Sequence, residues 1–265
     1  MSSRWTDELA FAERLADMAD AIAMPAFRNR ETAVRKKSDG TPVTEADEAI
    51  EERLRAEIAS AYPDDAVLGE EGGVTGEGAA RRWIIDPIDG TKNFSWGIPV
   101  WATLIALEVD TAVVCGVVSA PALRERWAAA RGSGARRNDE PIRVTDVAHL
   151  SEARLGFTSA ASREPGFDEG FSTLLRSVAH DRGLGDFYGH VLVASGSLEV
   201  MVEPNLRPWD IGPLLVIVEE AGGRLTDFSG VGHIYGRSCL TTNGFVHEEA
   251  LGILRNAEHA ADAPP

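Results

Sequence analysis

From residue 83 onward the chain delivers five short β-rich runs in close succession: "WIID", "VWATLIALEV", "AVVCGVVSAP", "RWAAA" and "IRVT", separated by Gly, Asp and Asn turns. Runs of branched, aromatic and small apolar residues punctuated in this way predict neighbouring strands of one antiparallel or mixed sheet. The first of them ends directly on charge, because "WIIDPIDGTKNF" sets Asp86 and Asp89 against the apolar run, followed by a glycine, a hydroxyl and a lysine.

Helical patterns flank this block. Leu9, Leu15, Met18, Ala19, Ile22 and Phe27 recur at mostly helical spacings until "RNRETAVRKKSDGTPVT" breaks the pattern with charge, Gly40 and Pro42. Ile50, Leu54 and Ile58 then repeat every four residues behind Thr44, an N-cap candidate with Asp47 at the third helical position. The second half reads as a strand "ARLGFTS", a helix around "FDEGFSTLLRSVAH", another from about Asp186 to Ser195, and a strand "LEVMVEP". The helix "WDIGPLLVIVEEAGG" opens near Trp209 with Pro213 in its first turn and stops at Gly222 and Gly223. "RLTDF", "LTTNG" and a helix from about His247 close the chain. With no internal repeat and no low-complexity linker, residues 1–258 are expected to form a single domain whose halves, 1–150 and 151–258, pack intimately, and 259–265 a frayed tail.

Composition narrows the function. The 265 residues are 44% hydrophobic, ample for a sizeable core. Acids outnumber bases 42 to 26, for a net charge of -16, so no basic surface is on hand to neutralise a nucleic-acid backbone. An anionic substrate must then be drawn in locally, by a bound cation or by helix N-termini. Cys115 and Cys239 lie far apart without CxxC spacing and read as buried free thiols. The N-terminus carries acids every few residues, so neither a signal peptide nor a membrane span is expected and the protein is read as cytoplasmic.

Several carboxylates sit at element ends: Glu70 and Glu71 in "AVLGEEGG", Asp86 and Asp89 in "WIIDPIDGT", Asp210 in "PWDIG". Like charges gathered at the mouth of a core repel unless protonation or a cation relieves them. Oxygen ligands without His or Cys point to a hard cation, Mg²⁺ ahead of Mn²⁺ or Ca²⁺. Pro87 stiffens the turn so that Asp86 and Asp89 can point the same way with the Ile88 carbonyl exposed between them, and Gly90 with Thr91 opens a helical turn suited to a phosphate oxygen. Each piece also has an ordinary reading. Asp47 fits a capping box, Asp86 and Asp89 an Asp-rich turn, Asp210 a favourable first-turn acid, and Glu70 with Glu71 a solvated loop. Their joint occurrence beside a glycine and a hydroxyl suited to phosphate favours the chemical reading.

Taken together, "WIIDPIDGTKNF" at 83–94, "WDIGPLLVIVEEAGG" at 209–223, "GTPVTEAD" and "VLGEEGG" resemble the signatures of the inositol monophosphatase family, in the order that family shows them and over nearly the whole chain. The resemblance implies an α+β fold, a layered αβαβα sandwich, usually a homodimer, and Mg²⁺-dependent, lithium-sensitive hydrolysis of a small phosphate ester. It implies that Glu70, Asp86 and the Ile88 carbonyl hold a first ion, that Asp86, Asp89 and Asp210 hold a second, and that a weaker third lies near Glu70. Mn²⁺ is the expected substitute. Asp47 and Thr91 are implied to orient and deprotonate the attacking water, with the backbone of Gly90 and Thr91 on the phosphate.

Within the family the wording is most similar to the histidinol-phosphate phosphatases of the actinobacterial type, through "TPVTEADEAIE", "GTKNFSWGIPVWATLIAL", "GVVSAPALRERWAAARGSGA" and "GDFYGHVLVASGSLEVMVEP". That implies a place in histidine biosynthesis. A substrate with an ammonium and an imidazole needs carboxylates beyond the metal cluster, and Asp186 and Glu203 are the candidates, Asp186 equally as the N-cap of its helix. Tyr188 and His190 share that helix start and are left outside the site, and Lys37 is a candidate to steady the metal loop. An inositol or sugar phosphate is the same-class alternative, and a regulatory binding protein on this fold the different-class one. The intact acids argue against the latter, and neither nucleic acid nor membrane is an expected partner.

Overall fold

The computed structural model of the chain describes residues 4–29, 35–36, 42–159 and 167–261. Lys37 lies outside them. Helix α1 (Thr6–Asn29) is followed by the two-residue strands β1 (Arg35–Lys36) and β2 (Pro42–Val43) and by α2 (Glu45–Ala61). Thr44 caps α2 as its spelling requires: the Asp47 carboxylate accepts the Thr44 backbone N–H at 2.9 Å and its hydroxyl at 2.5 Å.

Next come β3 (Ala66–Gly69), β4 (Gly73–Thr75), β5 (Arg81–Asp89), the short helix α3 (Thr91–Trp96), β6 (Ala102–Val109), β7 (Ala112–Ala120), β8 (Glu125–Ala130), β9 (Ala135–Arg137) and β10 (Glu140–Ile142). They form one sheet ordered β10-β9-β8-β7-β6-β5-β3-β4, antiparallel except where β3 runs parallel to β5. The second half supplies β11 (Arg154–Phe157), α4 (Phe167–Ser177), β12 (His180–Gly183), α5 (Asp186–Ala194), β13 (Val200–Pro204), α6 (Pro208–Glu220), β14 (Arg224–Thr226), β15 (Ser238–Thr242) and α7 (His247–Ala261). Its five strands order as β12-β11-β13-β15-β14.

The period-two alternation of the strands separates the layers. On the large sheet Trp83, Ile85, Ile105 and Leu107 pack under α1 and α2, while Ile84, Leu104 and Ala106 face α5 and α6. The second sheet turns Cys239, Leu225 and Met201 towards that same middle layer, and Leu155, Val200, Val202 and Leu240 towards α4 and α7. The result is the α+β sandwich αβαβα, with Cys115 and Cys239 both buried and unbridged.

Several expectations shift in detail. "IRVT" does not continue the sheet past Ile142, because the Val144 N–H is taken by the Ala221 carbonyl at the end of α6. Pro213 is the sixth residue of α6 and not part of its first turn; the proline in the first turn is Pro208. The stretch "HDRG" is an exposed edge strand without alternation, which hid it from a pattern search. The β9–β10 turn uses Asn138 and Asp139 at φ 47° and 69°, conformations that Asn and Asp tolerate. Helix α7 runs to Ala261, three residues into the stretch expected to fray, and 262–265 lie outside the described residues.

Pro213 also sets how closely α6 approaches the sheet. A Cβ added at Gly116 on β7 would stand 2.6 Å from the Pro213 Cα, so only glycine lets helix and strand meet. Gly116→Ala is expected to lower stability by about 1–3 kcal/mol in urea unfolding, the range for overpacking a filled core. Gly252→Ala, on a helical position where nothing lies within 4 Å, is expected to raise it by about 0.4–1 kcal/mol in the same experiment.

Candidate active site

Strand β5 does not end at Asp86; it runs on through Pro87 to Asp89. Asp86 pairs with Leu104 and Asp89 with Ala102, so three steps along β5 match two along β6. This bulge has a consequence for direction. Residues three apart on a regular strand face opposite sides, and one extra residue brings Asp86 and Asp89 back to the same side. The Thr103 hydroxyl donates to the Pro87 carbonyl at 2.8 Å, and the Thr91 hydroxyl to the Ile88 carbonyl at 3.0 Å.

Four helices begin around this bulge. Asp210 sits in the first turn of α6, its carboxylate accepting the Arg207 N–H at 2.7 Å. The Phe187 N–H at the start of α5 donates to Asp89 at 2.7 Å. Gly90 caps α3 at φ 79°, a left-handed conformation that glycine adopts freely. Asp47, fully buried at the start of α2, adds its charge to the field on Asp86. Helix N-termini favour negative charge, and here that charge is gathered: oxygens of Asp86, Asp89 and Asp210 all lie within 4.8 Å of one another. Asp47 therefore caps its helix and also belongs to the neighbourhood of the cluster.

Glu70 arrives from the large sheet. The β3–β5 register aligns Gly69 with Ile85, which sets the next residues, Glu70 and Asp86, side by side. Glu70 stands outside the three-aspartate group, but its charge is the strongest of those raising Asp86 and also raises Asp210. Burial acts first on all three aspartates, and their neighbours add to it. Asp86 and Asp89 are held well above the usual carboxylate range, and Asp210 is pushed up to about 7.

Beside the cluster lies a cavity of about 410 Å³, lined by Glu70, Gly90, Thr91, Lys92, Thr158 and Asp186 among others. Asp186 is not the N-cap of α5: Gly185 holds that position, and Asp186 opens the helix at φ 55°. Asn93 donates to its carboxylate at 3.2 Å, and burial together with the Glu203 charge pushes Asp186 up to about 6. Glu203 is buried on β13, accepting the Thr158 hydroxyl at 2.5 Å, with His190 Nε2 3.3 Å from its other oxygen. The Asp186 N–H donates to the same Thr158 hydroxyl at 3.2 Å, so one threonine ties the two acids together.

Asn93, Thr158 and His190 were invisible as partners because nothing in their local sequence shows which distant side chain they meet. His190 is fully buried; burial alone would keep it neutral, but Cys239 and Glu203 push it up to about 10. The donor set suits a hard divalent cation. It is all oxygen, three carboxylates converge, and Asp86 Oδ1 is buried with no hydrogen-bond partner. Mg²⁺ fits these residues.

This fold and this cluster beside a cavity suit metal-dependent hydrolysis of a phosphate ester, and sequence comparison gives the class. The sequence model of the inositol monophosphatase family matches residues 5–262. The chain belongs to that family. It is similar to the histidinol-phosphatase of Mycobacterium tuberculosis, at 45% identity over 92% of this chain and 96% of that protein. It is also similar to the histidinol-phosphatase of Streptomyces coelicolor, at 43% over 94% and 97%. Among solved structures the inositol monophosphatase of Thermotoga maritima superposes with a TM-score of 0.85 at 32% identity, covering 97% of this chain and all of that one.

The raised carboxylates fix a pH dependence. The native cluster keeps protons that the unfolded chain, with Asp near 3.9, releases. Their stabilisation is therefore full below about pH 4 and drains as pH rises through the native values, about 7 for Asp210. With EDTA, the thermal midpoint is expected to be lower at pH 8 than at pH 6. Mg²⁺ is expected to raise it more at pH 8, where protons no longer compete. Asp89→Asn is expected to raise the metal-free midpoint at pH 8 and blunt the Mg²⁺ response. Differential scanning fluorimetry at the two pH values decides; a midpoint indifferent to both pH and Mg²⁺ contradicts the assignment.

Proposed function

We propose that the chain hydrolyses L-histidinol phosphate to L-histidinol and phosphate, using Mg²⁺ held by the acidic cluster. The convergence of Asp86, Asp89 and Asp210 beside a cavity that also presents Asp186 carries this reading. The likeness to histidinol-phosphatases at 45% and 43% identity supports the choice of ester.

Glu70, Asp86 and the Ile88 carbonyl would hold a first ion, Asp86, Asp89 and Asp210 a second, and Glu70 a weaker third, with Mn²⁺ as a substitute. Bound there, the ions supply Lewis-acid stabilisation of the attacking and leaving oxygens of an in-line displacement. The chain's own groups do the rest. The Thr91 hydroxyl donates its hydrogen bond to the Ile88 carbonyl, which leaves its oxygen lone pairs to orient the attacking water. Asp47, buried and already oriented by Thr44, accepts the water's proton. Backbone N–H groups of Gly90 and Thr91 bind the phosphate oxygens, where α3 begins. Asp186 receives the substrate ammonium, and Glu203 fixes Asp186 through Thr158.

The same reading places the protein in histidine biosynthesis, in the cytoplasm, as a lithium-sensitive homodimer whose residues 1–258 make one domain. Among the described residues no helix is long and apolar enough to cross a membrane.

Phosphate release from histidinol phosphate is expected to need Mg²⁺ and to exceed release from inositol 1-phosphate at matched concentration. A faster inositol ester overturns the substrate assignment and leaves the phosphatase standing. Asp89→Asn is expected to cost more than the roughly 10–100-fold typical of changes behind a metal ligand, with the fold retained. Full activity in that variant overturns the metal assignment.

A further inference from the structure

Glu70 and Glu71 stand in the tight β3–β4 connection, between Gly69 and Gly73, which pair with each other. A two-strand hairpin at the edge of a sheet is free to move unless something holds its turn. Here a carboxylate fills it. Glu51, on α2 one turn beyond Asp47, is 2% exposed, and it accepts the Glu71 N–H at 2.8 Å and the Gly72 N–H at 2.7 Å. Arg55, one turn further, donates to Glu51 at 2.7 Å and reaches the far strand at the Gly73 carbonyl (2.5 Å) and the Thr75 hydroxyl (3.2 Å).

The glycines of "LGEEGG" follow from this clamp. A Cβ at Gly69 would lie 2.4–2.7 Å from the Glu51 carboxylate, and one at Gly72 would lie 2.8 Å from it and 3.1 Å from Arg55. The hairpin thus closes around Glu51 with no room for side chains on either side of the acidic pair.

We infer that Glu51 is a positioning residue: it holds the hairpin turn so that Glu70 meets Asp86, and so sets the affinity of the site for a divalent cation. The inference rests on the proposed role of Glu70 as a metal ligand. Glu51 does not touch the ion or the substrate. It ties the Glu70 turn to the helix that carries Asp47, so that one rigid element fixes two members of the site. Gln at position 51 keeps the volume but brings an NH₂ group against backbone N–H groups, so at least one of the three donors is lost.

Mg²⁺ titration calorimetry on the full chain tests this, comparing wild type, Glu51→Gln and Glu70→Gln, with thermal midpoints in EDTA as the folding control. Glu51→Gln is expected to weaken Mg²⁺ binding by about 10–100-fold, the range for residues that orient a metal ligand. Its turnover is expected to recover at saturating Mg²⁺, measured well below the midpoint found in EDTA, where the variant is already folded and Mg²⁺ has no unfolded protein to rescue. Wild-type Mg²⁺ affinity in folded Glu51→Gln protein, with affinity lost in Glu70→Gln, overturns the inference and leaves the metal site standing. Wild-type affinity in both variants overturns the metal role of Glu70 and the inference with it. Should Glu51→Gln not fold, Gly72→Ala, which displaces the Glu51 carboxylate while keeping it in the chain, decides by the same criteria.

Discussion

The mutual repulsion of three carboxylates held within 4.8 Å of one another is the constraint around which this molecule is arranged. Such a group does not assemble by itself, since loss of water and like charge both oppose it. The chain overcomes this with backbone. A bulge in β5 turns Asp86 and Asp89 to one side, and N–H groups at Phe187 and Arg207 fix Asp89 and Asp210. The N-termini of α2, α3, α5 and α6 meet there, from layers on both sides of the large sheet. The layered sandwich is what lets elements so far apart in the chain end at one point. What the backbone leaves unmet, an Asp86 oxygen with no partner and carboxyls held above their usual range, is what a divalent cation would satisfy.

Much of this could be read from residues alone, where the signal was local. Nearly unbroken apolar runs in "TLIALEV" and "AVVCGVV" marked β6 and β7 because each strand packs on both faces, and Thr44 with Asp47 spelled its own cap. Signals failed where the cause was distant. Nothing near Glu51 shows that its carboxylate fills a turn twenty residues on, and nothing near His190 shows that Glu203 and Thr241 await it. Asp186 looked like an N-cap by composition, yet Gly185 takes that place and Asp186 adopts φ 55° where its side chain meets Asn93. Pro213 lies deeper in its helix than proline's preference for first turns suggested, because it packs on Gly116 across the layer.

The net charge of -16 sharpens the division of labour. A protein so acidic repels a phosphate ester at long range, so attraction must be local and mediated by cations. The same acidity suits the rest of an amino-alcohol ester, for whose ammonium Asp186 at the cavity wall is the proposed partner. Glu203 is already engaged by Thr158 and His190, contacts that let it support that wall. The proposed function thus gives phosphate and ammonium opposite chemistries, one through metal and helix N-termini and one through a buried carboxylate.

The central claim is that the aspartate cluster exists to hold divalent cations. Anomalous diffraction from crystals grown with Mn²⁺ tests it most directly, because manganese is located independently of any assumption about ligands. The account requires an anomalous peak bounded by Asp86, Asp89 and Asp210, with a second towards Glu70. A cluster without anomalous density at saturating Mn²⁺, in protein that still releases phosphate, would contradict it.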